Sequence, residues 1–260
     1  MGAFVSAAWL LFHTHLRRLA WSKRALVCAL LALLAPLAAF LVASLGRRVG
    51  PADVAVHVGF LLQLQVILPV LALVAGSAAV AEEVEDRTIT FLFSRPVPRP
   101  AVLIGRWSAI LVFLLTLLAA STLLLLAASA RAKGHGDAVD AGIREPLLVA
   151  VLLGGAVYSA LFAVLGVFVK NPIIVGLGYA FAFEGFLANL PASTQALTIQ
   201  FYLRSVVAAL GSPAWNRVEG FASPSFDPLP KALWTLGLVL ALALALGAWR
   251  IARREFVVSA

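Results

Sequence analysis

The side chains here that could do chemistry are few and mostly isolated from one another. Glu184 is the single acid in the apolar run PIIVGLGYAFAFEGFLANL. An ionisable group inside a membrane span costs roughly 2.5–3.5 kcal/mol on insertion scales, so it normally faces a cavity or a partner. Two readings stand side by side: Glu184 lines a pathway, or it lies near the interface before Pro191 and is partly wetted. Gln63 and Gln65, in an earlier run, either hydrogen-bond across helices or touch a substrate. His13 and His15 are two apart, so their side chains diverge on a helix. His135, Asp137 and Asp140 could approach a metal, but their spacing reads better as a solvated polar loop. No GxxxxGK[ST], HExxH or GxSxG pattern occurs, so the chain lacks the phosphate loop, the helical zinc pair and the nucleophile elbow that those patterns build. No catalytic residue, metal site or bound cofactor is expected.

The densest charge lies elsewhere, in EEVEDRTITFLFSRPVPR, Glu82 to Arg99. Glu82, Glu83, Glu85 and Asp86 open it, and Arg95 and Arg99 close it. Acid first and base last suits the end charges of a short helix. Glu83 and Arg87 can pair four apart. Pro96 and Pro98 then stop the helix. A plain connector needs only a few residues, as Lys170 to Pro172 shows, and Ile89, Phe91, Leu92 and Phe93 would be exposed unless something covers them. A partner-docking helix accounts for both features.

The elements that must hold these residues are membrane spans. With 62% hydrophobic and 12% charged residues, the chain is far more apolar than a soluble domain, where roughly 45–50% and 25% are usual. Several runs of about 20 residues carry almost no charge, the length of helix needed to cross a bilayer core. The runs are continuous rather than alternating, which excludes a barrel. The formal charge of +8 is scattered over links between spans, so nucleic acid is not an expected partner. Cys28 is the only cysteine and cannot build a disulfide framework within one chain.

Residues 1–24 place Val5, Trp9, Phe12, Leu16 and Leu19 on one face beside His13, Arg17 and Arg18, the pattern of an amphipathic surface helix rather than a leader. Spans are expected over 25–45, 54–81, 101–130, 146–169, 173–190 and 232–249. Pro36 bends the first. Gly155, Ser159 and Ala163 let a neighbour approach the fourth closely. Arg106, near the start of the third, is expected to snorkel to the surface. In the link 191–230, Ile199, Leu203, Val206, Val207 and Leu210 keep helical spacing, which predicts a helix lying on the membrane surface. The fold class is therefore an all-α polytopic membrane protein. It has six transmembrane helices, a surface helix before them, a helical segment at 82–100, a helical link between spans 5 and 6, and a tail from 250.

Basic residues set the orientation. With both termini cytoplasmic, the inner segments hold Arg17, Arg18, Lys23, Arg24, Arg87, Arg95, Arg99, Arg106, Lys170, Arg250, Arg253 and Arg254, twelve of the twenty Lys and Arg, and three of the other eight, Arg204, Arg217 and Lys231, lie in or at the end of the long link, where the rule weakens. Glu82–Arg99 then faces the cytoplasm.

Glu83, Glu85, Thr88, Leu92, Pro96 and Arg99, between a second and a third span, resemble the permease subunits of type-2 ATP-binding-cassette exporters, in particular the small six-span bacterial branch. The likeness covers nearly the whole chain; Arg87 stands where many members have Gly. It implies that the helix at 82–99 is a coupling helix seated in a groove of a separate ATPase. Glu82, Glu83, Glu85, Asp86, Arg87, Thr88, Phe91, Leu92, Pro96 and Arg99 would form the docking segment. The surface helix would be the family's connecting helix. Two ATPase copies, binding ATP and Mg, and a second permease chain, most simply an identical one, would complete the unit in a bacterial inner membrane. Spans 2 and 5 would line the route, with Gln63, Gln65 and Glu184 as pathway residues. An ion-coupled secondary transporter is the rival; it needs polar groups clustered at the midplane and an internal repeat, and the chain offers one buried-looking acid. A membrane enzyme would need a carboxylate pair, or a nucleophile with its base, and neither is evident.

Overall fold

The computed structural model describes residues 2–46, 49–77, 99–169, 171–187, 192–221 and 226–253. Eight helices of two turns or more run through them: α1 (Gly2–Ala20), α2 (Lys23–Leu45), α3 (Pro51–Gly76), α4 (Arg99–Ser129), α5 (Ala141–Phe168), α6 (Pro172–Leu187), α7 (Ile199–Leu210) and α8 (Leu229–Arg253). No strand occurs among the described residues. The expected docking segment from Glu82 to Pro98 lies outside them, and Arg99 opens α4.

Five helices, α2, α3, α4, α5 and α8, are long and apolar enough to cross a bilayer. The chain is a polytopic helical membrane protein. The expected fifth span corresponds to α6, whose described length is about 24 Å at 1.5 Å per residue, short of the roughly 30 Å hydrocarbon core.

Helix packing follows residue size rather than hydrophobicity, because lipid tails are as apolar as leucine. In α2 the small residues Ala32, Ala35, Ala39 and Ala43 are buried while Leu26, Leu30, Leu33 and Leu37 face outward. The same inversion holds in α8, where Ala243 and Gly247 are buried and Leu238, Leu242 and Leu246 are exposed.

α5 is the hub, packed against α3, α4, α7 and α8. Its small residues make this possible. A Cβ on Gly155 would stand 2.8 Å from a Leu118 methyl of α4, and one on Gly154 would stand 2.6 Å from Leu68 of α3 and 2.8 Å from Leu203 of α7. Ser159 accepts a hydrogen bond from the Trp107 indole of α4 at 3.2 Å. At the far end of α3, a Cβ on Gly76 would meet the Ser159 carbonyl at 3.0 Å.

Two expectations change in the structure. The helix predicted in the link forms as α7, but its apolar face lies on protein, not on a membrane surface: Ile199, Leu203, Val206 and Val207 are buried against α5 and α8. The gap above Gly154 admits Leu203, and that contact replaces lipid. Arg106 does not snorkel; it is 6% exposed, because α1 lies along the start of α4, with Ala8 and Leu11 close over Gly105.

Candidate functional site

The site begins with a proline. Pro69 has no N–H to donate, so the turns before it cannot bond as an ordinary α-helix. From Gly59 to Ile67 the helix widens into π-helical turns, and the Leu68 N–H reaches back to the Gln63 carbonyl instead of that of Leu64. The Leu64 carbonyl loses Leu68 as donor, and Pro69 cannot supply the next one. Gln200 of α7 fills the place: its Nε2 donates to Leu64 O at 2.9 Å.

α6 carries a second widened stretch, Gly178–Glu184. π turns are uncommon and tend to appear at functional positions. Here the two stretches share one cavity of about 730 Å³, lined by Phe60, Leu61 and Gln65 from the first, Ala180, Phe181 and Glu184 from the second, and Gln200 and Arg204 from α7.

Glu184 is 1% exposed and both of its carboxylate oxygens are hydrogen-bonded. Oε2 accepts from the Tyr158 hydroxyl of α5. Oε1 accepts from the Tyr179 hydroxyl at 2.9 Å and from the Ile199 N–H at 3.2 Å. That N–H is an orphan donor of the first turn of α7, where the helix end favours negative charge. Thr198 caps the same turn by accepting from Phe201 N at 3.2 Å. One carboxylate thus ties α5, α6 and α7 together.

Arg204 lies one turn beyond Gln200, 7% exposed, its guanidinium 4.9 Å from the centroid of Phe60. Phe60 meets Phe221 edge-on at 5.0 Å, and Phe221 packs on Trp215, whose indole donates to the Gly142 carbonyl at 3.1 Å. This aromatic cluster fixes the wall behind the arginine.

The rim is held by charge. Arg217 donates to Asp53 at 2.8 Å and to Asp137 at 2.6 Å, and those two carboxylates hold its guanidinium above its ordinary pKa, hydrogen bonding first and charge second. The Ala52 N–H donates to the Asp137 carbonyl, and the Ser212 N–H to that of Gly142. The first turn of α3, the α4–α5 loop and the stretch after α7 therefore meet on one face of the bundle.

Of the predicted pathway residues, the structure brings Gln65 and Glu184 to the cavity. Gln63 points the other way. Its Nε2 donates to Thr122 and its Oε1 accepts from Ser121, both at 3.2 Å, and Ser121 also donates to the Ala32 carbonyl at 2.6 Å, so it joins α2, α3 and α4. Asp137 is paired with Arg217 instead of grouping with His135. Two cavity residues were not singled out from the sequence. Arg204 counted only as one basic residue of a link, and Gln200 not at all; their spacing of four beside Leu203 and Val207 was the available signal.

A family model for the ABC-2 family transporter proteins matches residues 52–256, well over half the chain. The chain belongs to that family. It is the membrane component of an ABC transporter, a permease, and its helices agree with that assignment. No curated protein matches this ABC-2 permease as a relative.

Proposed function

We propose that this ABC-2 permease is one half of a homodimeric exporter in a bacterial cytoplasmic membrane, driven by two copies of a separate ATPase that bind ATP and Mg. The chain catalyses nothing itself. Glu82–Arg99 docks on the ATPase as a coupling helix, with Glu83, Glu85, Arg87, Thr88, Phe91 and Leu92 on the docking face, and α1 acts as the connecting helix beside the start of α4.

The observation that carries this reading is the reach of the family match, which spans Glu82–Arg99 together with α3 and α6. With both termini cytoplasmic, the face where Asp53, Asp137 and Arg217 meet is the outer one, and Glu82–Arg99 falls on the inner side. Closure of the ATPases would pull on the inner end of α3, whose widened turns border the cavity on the outer half. Exchange of these widened turns for α-helical bonding would supply a two-state element for such a pull, since switching interfaces are bistable rather than elastic.

The test is co-purification from native membranes. An ATPase chain should travel with the tagged permease, and Glu83→Lys combined with Glu85→Lys should release it while the double variant remains inserted. Retention of the ATPase, with substrate-stimulated hydrolysis unchanged, would refute the docking role.

A further inference from the structure

Arg204 is a buried charge with donors to spare. It is 7% exposed, its Nε has no partner, and it donates no hydrogen bond to any described residue. A guanidinium has five N–H donors, and leaving buried polar groups unpaired is costly. Glu184 sits close enough to act on it electrostatically, but the carboxylate oxygens of Glu184 are taken by Tyr158, Tyr179 and Ile199. The Phe60 ring holds the guanidinium in place at the cavity floor by a cation–π contact.

The rest of the cavity has the opposite character. At the rim Glu219 is exposed and makes no ion pair among the described residues, while Arg217 is already shared by Asp53 and Asp137, so Glu219 is the rim carboxylate left to meet a cation. Leu61 and Phe181 line the wall from α3 and α6 and are 51% and 47% exposed. The floor offers the guanidinium of Arg204 beside a Glu184 carboxylate already bonded to Tyr158, Tyr179 and Ile199, the rim offers the Glu219 carboxylate and one wall is apolar, in a volume of about 730 Å³ that falls within the usual range for small-molecule pockets.

We propose that this cavity binds a zwitterionic amphiphile: its phosphate on Arg204, its ammonium toward Glu219, and its chain leaving over Leu61 and Phe181. A lipid of the phosphatidylethanolamine type has this chemistry. The inference goes beyond the transport reading and stands apart from it, because it concerns equilibrium binding to the permease alone, with no ATPase and no movement across a membrane.

Native mass spectrometry of the full chain, purified in a neutral detergent and titrated with phosphatidylethanolamine, phosphatidylglycerol or inorganic phosphate, tests it. Phosphatidylethanolamine should be retained best. Arg204→Gln should weaken its retention by about tenfold or more, the scale of a lost charged hydrogen bond. Glu219→Gln should remove the preference over phosphatidylglycerol. Should Arg204→Gln fail to fold, Gly185→Leu decides with every charge in place: Gly185 lines the cavity and a Cβ there would meet only the Ala180 carbonyl, at 4.0 Å, so this variant should fold and lose the lipid. Equal retention by the native protein and by either blocking variant would overturn the proposal, as would equal retention of phosphatidylglycerol, or displacement of the lipid by inorganic phosphate alone.

Discussion

The Tyr158 hydroxyl donates to Oε2 of Glu184, 26 residues further along the chain. The same carboxylate takes the Tyr179 hydroxyl and the Ile199 N–H, so three helices depend on one acid for their polar groups. Glu184→Ala would strand two buried donors, the Tyr158 hydroxyl and the Ile199 N–H, each at about 1–3 kcal/mol, and the half-buried Tyr179 hydroxyl. A large fall in the thermal midpoint of the detergent-solubilised protein is expected. Glu184→Gln, which keeps one acceptor oxygen, should fall less. Equal midpoints for the two variants would show that the carboxylate is not the tie.

Gln200 and Pro69 form a linked pair. Gln200→Leu leaves the Leu64 carbonyl without a donor, at a cost of about 1–3 kcal/mol. Pro69→Ala restores a backbone N–H one turn after that carbonyl and should recover part of the loss. A double-mutant cycle on thermal stability reads the coupling, and strictly additive effects would rule out the shared carbonyl.

The close approach of α5 and α7 should be sensitive to volume. Gly154→Ile pushes into Leu68 and Leu203 and should cost about 1–3 kcal/mol by overpacking. Leu203→Ala in the same chain makes room and should restore part of the stability. If Gly154→Ile alone is silent, the helices are not in contact there.

The contact of α1 with α4 should depend on pH. Burial, with Arg106 and Arg18 adding repulsion, pushes the His15 imidazole down from 6.5 to about 4. A detached α1 would bind the proton near pH 6.5, so between the two values the detached state holds more protons and stability rises with pH. Docking is therefore complete above about pH 6.5 and is lost as the pH falls toward 4. A spin label on Ala20 should gain mobility across that window, and His15→Phe should flatten the response. A flat profile in the native protein would contradict it.

Much of this architecture was legible in the chain. Uninterrupted Leu and Ala runs announce α2, α4, α5 and α8, because helix is the structure that satisfies its own backbone in lipid. The spacing of Ile199, Leu203, Val206 and Val207 gave α7. What covers that face was not legible, since it depends on the gap over Gly154, some fifty residues earlier. Nor were the widened turns. Pro69 signals a disturbed hydrogen bond, but whether a kink, a water or Gln200 answers it is settled by tertiary packing. GYAFAFE carries no proline at all. Glu184 stood out as an acid among apolar residues, while its partners Tyr158 and Ile199 come from two other helices and could not be read locally.

The rim joined by Arg217 also bears on the order of assembly. Its partners precede it by 164 and 80 residues, and the Ala52–Asp137 backbone bond holds the two aspartates' segments together. A nascent polypeptide that has emerged only as far as α6 would present Asp53 and Asp137 side by side without their shared cation. The early hairpins therefore cannot be clasped until synthesis has passed residue 217, which makes the late-emerging segment the fastener of the ones that entered the bilayer first.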